Sequence, residues 1–180
     1  MLIALACAGC VSKPLDVKVV PHVDSDAISA PSLAGSLSVR AAAVWDEDWL
    51  LDNFDANAIL AGVLPVRVEI ENHGSEPLAT RKLEVAASDA AGRRFERLDA
   101  SKARKAIEKY YQLGRIRSKY GDKIYKQDWA ANALDLGSPL APGERRQGFV
   151  YLRIPQGVAG RVGLRFAVGR DAARAELALD

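Results

Sequence analysis

The chain has 180 residues, 49% of them apolar and 27% charged, with a formal net charge of +2. That length and composition fit one globular domain with tails, and so small a net charge argues against the strong cationic field of a general nucleic-acid binder. Both cysteines, Cys7 and Cys10, stand within the first ten residues, so the rest of the chain has no disulfide, no thiolate nucleophile and no cysteine zinc site.

The N-terminus, Met1-Leu-Ile-Ala-Leu-Ala-Cys-Ala-Gly-Cys10, is a short apolar run ending in small residues before a polar Ser12-Lys13-Pro14. A signal peptide's apolar region and cleavage site have this form. The pair Ala8-Gly9 before Cys10 resembles the lipobox of bacterial lipoproteins. The resemblance implies cleavage after residue 9, diacylglycerol on the sulfur of Cys10 and a chain held at the membrane of the cell envelope, facing the periplasm. Cys7, preceded by Ala4-Leu5-Ala6, is the competing acceptor. Val11 follows Cys10 where an aspartate would favour retention at the inner membrane, which leans toward the outer membrane. Met1 is the only methionine and no basic residue precedes the apolar run, so the leader is expected to begin upstream. No later run approaches the roughly 18 apolar residues of a membrane-spanning helix.

Residues 10–36 carry Pro14, Pro21 and Pro31 among Ser, Asp, Ala and Gly. A stretch with so little apolar periodicity buries too little surface to offset its ordering entropy, and is expected to be a semi-extended tether. The folded domain is then expected over residues 37–180. Leu37 and Val39 open its first strand. Asp46, Glu47, Asp48, Asp52 and Asp55 follow as an acidic surface loop with Trp45 or Trp49 packed on the edge of the fold. Their spacing does not match a calcium-binding EF-hand loop.

The clearest strand alternates Leu64, Val66, Val68 and Ile70 against Arg67, Glu69 and Glu71, and ends at the turn sequence Asn72-His73-Gly74-Ser75. Leu83 and Val85 begin the next strand, closed by Asp89-Ala90-Ala91-Gly92, and Phe95 and Leu98 mark a short return strand. From Ala100 to about Lys119 the pattern changes. There is no proline, good helix formers dominate, Ala103, Ile107, Tyr110 and Tyr111 fall at helical spacing, and Asp99 or Ser101 can cap the start. The turn-rich Ser138-Pro-Leu-Ala-Pro-Gly143 leads to a β-branched and aromatic strand, Gly148–Ile154. Leu164, Phe166 and Val168 alternate in another, and Leu177 and Leu179 mark a last one. The expected fold is mainly β: a two-sheet antiparallel β-sandwich with one inserted α-helix at about 100–119.

The order of parts resembles the immunoglobulin-like domains of an uncharacterised family of bacterial lipoproteins, over Asn57-Ala-Ile-Leu-Ala-Gly-Val-Leu-Pro-Val-Arg-Val-Glu-Ile-Glu-Asn72 and Pro142-Gly-Glu-Arg-Arg-Gln-Gly-Phe-Val-Tyr151. The Cys…Trp…Cys pattern of disulfide-bonded immunoglobulin domains is absent. Such a likeness concerns the fold and carries no active site.

The chain offers little for catalysis. Its two histidines, His22 and His73, fall in the tether and in a turn, and no phosphate loop, HExxH or paired-cysteine motif is present. A non-enzymatic protein without metal or cofactor is expected. The asymmetry of charge is the stronger signal: Arg93 to Lys126 holds twelve bases and four acids, with Tyr110, Tyr111, Tyr120 and Tyr125 among them. A solvated helix face would account for it. Its sharper meaning is a binding surface built from Arg93, Arg94, Lys102, Arg104, Lys105, Lys109, Tyr110, Tyr111, Arg115 and Arg117. As an adaptor, that surface would dock another envelope protein. Alternatively it would bind anionic envelope ligands such as lipid headgroups or lipopolysaccharide. Nucleic acid is not an expected partner of an exported protein.

Overall fold

The computed structural model describes residues 32–34, 36–89, 91–112, 129–155, 162–168 and 174–179. The chain runs β1 (Ser32–Ala34), β2 (Leu37–Ala43), α1 (Glu47–Phe54), β3 (Val63–Asn72), β4 (Leu83–Asp89), β5 (Arg94–Leu98), α2 (Ala100–Tyr110), β6 (Arg145–Arg153), β7 (Val162–Val168) and β8 (Arg174–Leu179), with a 3-10 turn at Thr80–Lys82. The protein is mainly β with few helices. The proposed lipid acceptor Cys10 and its rival Cys7 lie outside the described residues. Among the described residues, no helix is long and apolar enough to cross a membrane.

The alternation read in β3 is the spine of the fold. Leu64, Val66, Val68 and Ile70 are fully buried and pack with Leu37, Val39 and Ala41 of β2 and Val150 and Leu152 of β6. β3 is antiparallel to both neighbours, with Val39 opposite Ile70 on one side and Val66 opposite Val150 on the other. Period-two alternation puts every second side chain on one face, so this register delivers one apolar surface from three strands. Leu83, Ala87, Phe95 and Val162 of β4, β5 and β7 close over it.

The strands form one continuous sheet of eight, ordered β1-β2-β3-β6-β5-β4-β7-β8, rather than the two separate sheets expected. The link is β5. Phe95 and Arg94 pair with Ala87 and Ser88 of β4, whereas Glu96, Arg97 and Leu98 pair with Arg153, Leu152 and Tyr151 of β6. One short strand therefore carries the ladder around a corner, as strands that switch layers do. β8 also approaches β1 and β2, so the sheet curls nearly into a barrel. The sheet begins inside the stretch expected to be tether: β1 pairs with β2, placing Ser32 opposite Val39. Three residues are too few to show a period.

The outer face of β3 and β6 is covered by a second apolar layer. Leu50 and Phe54 of α1, Ala103 and Ile107 of α2, and Trp129 at the start of the helical turn 129–132 pack on Val63, Phe149 and Tyr151. The stretch expected to be an acidic loop is thus helix α1. Asp46 caps it, its Oδ1 accepting from the Trp49 N–H at 3.0 Å. Glu47 and Asp48 occupy the first turn, where carboxylates complement the helix dipole. Trp49 meets Phe54 and Phe149 at 5.9 and 6.0 Å, with the Arg67 guanidinium 4.1 Å over its ring. Next to Phe149 the chain leaves no room for a side chain. Leu134 N–H donates to Phe149 O at 3.0 Å, and a Cβ at Gly148 would overlap the backbone of Ala133 and Leu134.

Candidate functional site

Helix α2 begins where its sequence said it could. The Asp99 carboxylate accepts from the Lys102 N–H at 2.7 Å, a capping bond that satisfies a backbone donor of the first turn. It ends at Tyr110, well short of Lys119, and Gln112 beyond it takes a left-handed φ of 56°. Residues 113–128 lie outside the described residues, and with them Arg115 and Arg117.

The helical period sorts the expected binding residues into two groups. Ala103, Arg104, Ile107 and Glu108 turn inward and are buried. Arg104 was expected on the binding surface, but its guanidinium pairs with the Glu108 carboxylate at 2.6 Å, and the two side chains are 2% and 4% exposed. Position 104 directly follows Ala103 on the buried stripe, and an acid one turn later makes an arginine tolerable there. Tyr111 also turns inward. Its hydroxyl accepts from the Asn57 N–H at 3.1 Å and donates to Asn57 O at 3.2 Å, and burial holds its phenol above the usual range.

Lys102, Lys105, Lys109 and Tyr110 remain on the outer face. With Ala61, Ala106 and Arg153 they line a groove of about 510 Å³. Ala61 belongs to the turn 58–62 that leads into β3, and Arg153 ends β6. Within reach of this groove, Glu96 of β5 lies 3.9 Å from the Lys102 ammonium and 3.5 Å from Arg153 Nε. The lining therefore carries three ammonium groups and a guanidinium, together with two alanines and a phenol. Ala61, Glu96 and Arg153 are distant in sequence from α2, and only the Glu96–Arg153 pairing across β5 and β6 brings the latter two together.

Arg93 and Arg94 belong elsewhere, at the β4–β5 hairpin. Arg93 N–H donates to Asp89 Oδ1 and its Nε lies 2.6 Å from Asp89 Oδ2. The Arg93 backbone bond, aided by its guanidinium, holds the Asp89 carboxyl below its ordinary range. Arg94 is exposed on β5. His73 is half-exposed in its turn, 3.9 Å from Glu71. Among the described residues no three His, Cys, Asp or Glu side chains gather as a metal site.

The described residues thus combine a basic, partly apolar groove with a nearly closed antiparallel sheet. The chain matches no family model, no curated protein and no solved structure.

Proposed function

We propose that this is a lipid-anchored envelope protein, without catalytic activity, whose α2 groove binds an anionic group of another envelope component. The observation that carries the reading is the convergence of Lys102, Lys105, Lys109 and Arg153 on one groove, where Glu96 is the acid paired with Lys102 and Arg153 among the described residues. Four cations around an open concavity favour phosphate or carboxylate groups, by Coulomb attraction and by donated hydrogen bonds. A purely aromatic protein contact is less well served, because Tyr111 is committed to Asn57 and, of the aromatic rings among the described residues, Tyr110 alone is counted as exposed. Anchoring through Cys10 rests on the lipobox resemblance. The accompanying fold reading is immunoglobulin-like, with limbs β1-β2-β3-β6 and β4-β7-β8 joined through β5.

The test has two arms. Cys10→Ser, with Cys7→Ser as its partner variant, releases the protein from membranes in a fractionation assay; full retention of the double variant refutes the anchor. Lys105→Glu with Lys109→Glu abolishes co-sedimentation with phosphatidylglycerol vesicles and capture on lipopolysaccharide, whereas Arg94→Glu, away from the groove, does not. Binding by the wild type falls as salt rises. Equal binding by wild type and the lysine variant refutes the groove.

A further inference from the structure

We propose that the ligand of the α2 groove carries two linked phosphate groups, one taken by Lys105 and Lys109 and the other displacing the Glu96 carboxylate from Lys102 and Arg153. The inference rests on the groove reading and gives it a ligand class. Lys102, Lys105, Ala106 and Lys109 fall at spacings of three and four residues, so they share one side of α2, and all four line the groove. At the rise of an α-helix, Lys102 and Lys109 stand about 10 Å apart along its axis. The groove, of about 510 Å³, has room for a ligand larger than one phosphate. Its four cations are not equivalent. Lys102 and Arg153 both face the Glu96 carboxylate, the ammonium 3.9 Å from Oε1 and the guanidinium Nε 3.5 Å from Oε2. Lys105 and Lys109 have no ion pair among the described residues.

Glu96 is itself an anion seated at the first pair. The ladder places it there, because Glu96 lies opposite Arg153 where β5 meets β6. The Asp99 cap then starts α2 three residues later and brings Lys102 to the other carboxylate oxygen. With its own carboxylate the chain demonstrates that Lys102 and Arg153 accept an anionic group between them. The hold is loose. The side chains of Glu96, Lys102 and Arg153 are 56%, 59% and 47% exposed, and both distances exceed those of short charge-assisted hydrogen bonds. A phosphate, with more charge and three acceptor oxygens, competes well for such a pair. A lone phosphate has Lys105 and Lys109 open to it instead. A second phosphate on a ligand already held there meets Lys102 and Arg153 at high effective concentration, which is what displacing a tethered carboxylate requires. Ala106 stands between Lys102 and Lys109 along the helix. With Ala61 it supplies small, uncharged lining for the part of the ligand that joins its phosphates.

Calorimetric titration tests this on the full chain, with Cys7→Ser and Cys10→Ser to keep it unlipidated, using hexanediol bisphosphate and hexyl phosphate at one low ionic strength. The bisphosphate is expected to bind about tenfold more tightly or better. Lys102→Gln with Arg153→Gln removes that preference. Glu96→Gln raises bisphosphate affinity about threefold, and it adds nothing in the Lys102/Arg153 variant, because the gain comes from releasing those two cations. The substituted groove positions are exposed, and melting curves verify folding. Equal affinity for the two probes overturns the inference. So does a Glu96 variant that binds like wild type, or one whose gain persists without Lys102 and Arg153, as repulsion at a distance would have it. Binding of neither probe by a protein that still sediments with phosphatidylglycerol vesicles also overturns it, yet leaves the groove reading standing. Vesicle binding that ignores Lys105→Glu with Lys109→Glu sinks the groove reading itself. Cardiolipin vesicles, with two phosphates in each headgroup, are set against phosphatidylglycerol vesicles of equal phosphate content to separate the sources. A cardiolipin preference that needs Lys102 and Arg153 marks a lipid headgroup, and a preference confined to the soluble probes marks a free ligand.

Discussion

Tyr151 stands in the aromatic layer between Phe149, Phe54 and Trp129, with ring centroids 5.6 Å from Trp129 and 6.1 Å from Phe149. Its hydroxyl is buried and has no hydrogen-bond partner among the described residues, and burial pushes its phenol well above the usual range. An unmade bond of this kind costs about 1–3 kcal/mol. Tyr151→Phe is therefore expected to raise stability by about 1 kcal/mol, read as a higher denaturant midpoint at neutral pH. The raised folded-state pKa also fixes a direction in pH. Stability tied to the neutral phenol is complete below the unfolded value of about 10 and is lost as pH rises above it. The variant should lose part of this alkaline decline, and Tyr111, whose phenol is raised as well, chiefly by burial, contributes another part. Arg104 makes the same point about reading single residues. As a base in a basic run it looked like surface, but the helical stripe and the pairing with Glu108 put it inside.

At the scale of elements, strands were legible and helix limits less so. β3 announced itself by strict alternation, and β6 by its dense aromatic run. Helix α1 was hidden by its own charges. Asp46, Glu47 and Asp48 read as a loop, although a cap followed by an acidic first turn and Leu50 and Phe54 one turn apart is also how a short helix begins. The end of α2 left no signal, because Gln112 adopts the left-handed turn that a glycine would have advertised. Gly148 was legible only as the start of a strand. Its missing side chain lets the 133–134 segment lie against β6, where Ala133 bridges Phe149 in parallel. Gly148→Ala is expected to cost about 3 kcal/mol or more by forcing that segment off the strand. Urea unfolding measures this, and an unchanged midpoint would show that the segment is not held there.

The closure of the whole sheet lay beyond the sequence, because it depends on partners far apart in the chain. Arg145 bonds Glu71 across 74 residues and Gln147 bonds Glu69 across 78. The groove was half legible for the same reason: periodicity supplied Lys102, Lys105 and Lys109, while Arg153 and Ala61 came from elements that only the assembled fold brings alongside. The handover at β5 also joins what would otherwise be two independent layers, so loss of one limb exposes the inner core of the other.

The pairing of β3 with β6 has a consequence for the order in which the protein is made. β3 leaves the ribosome with β2 as its ladder neighbour, and its second edge waits until residues 145–153 have been synthesised. Until then a ten-residue strand, apolar on its inner face, presents an open row of N–H and C=O groups. Chains stalled before residue 145 are expected to be cut by protease within β3 and to be held by chaperones, and chains released beyond residue 153 to resist cleavage there. Pulse proteolysis of stalled chains of graded length locates that change. The late arrival of β6, more than any local weakness in the sequence, sets the interval during which nascent chains of this protein can pair wrongly with one another.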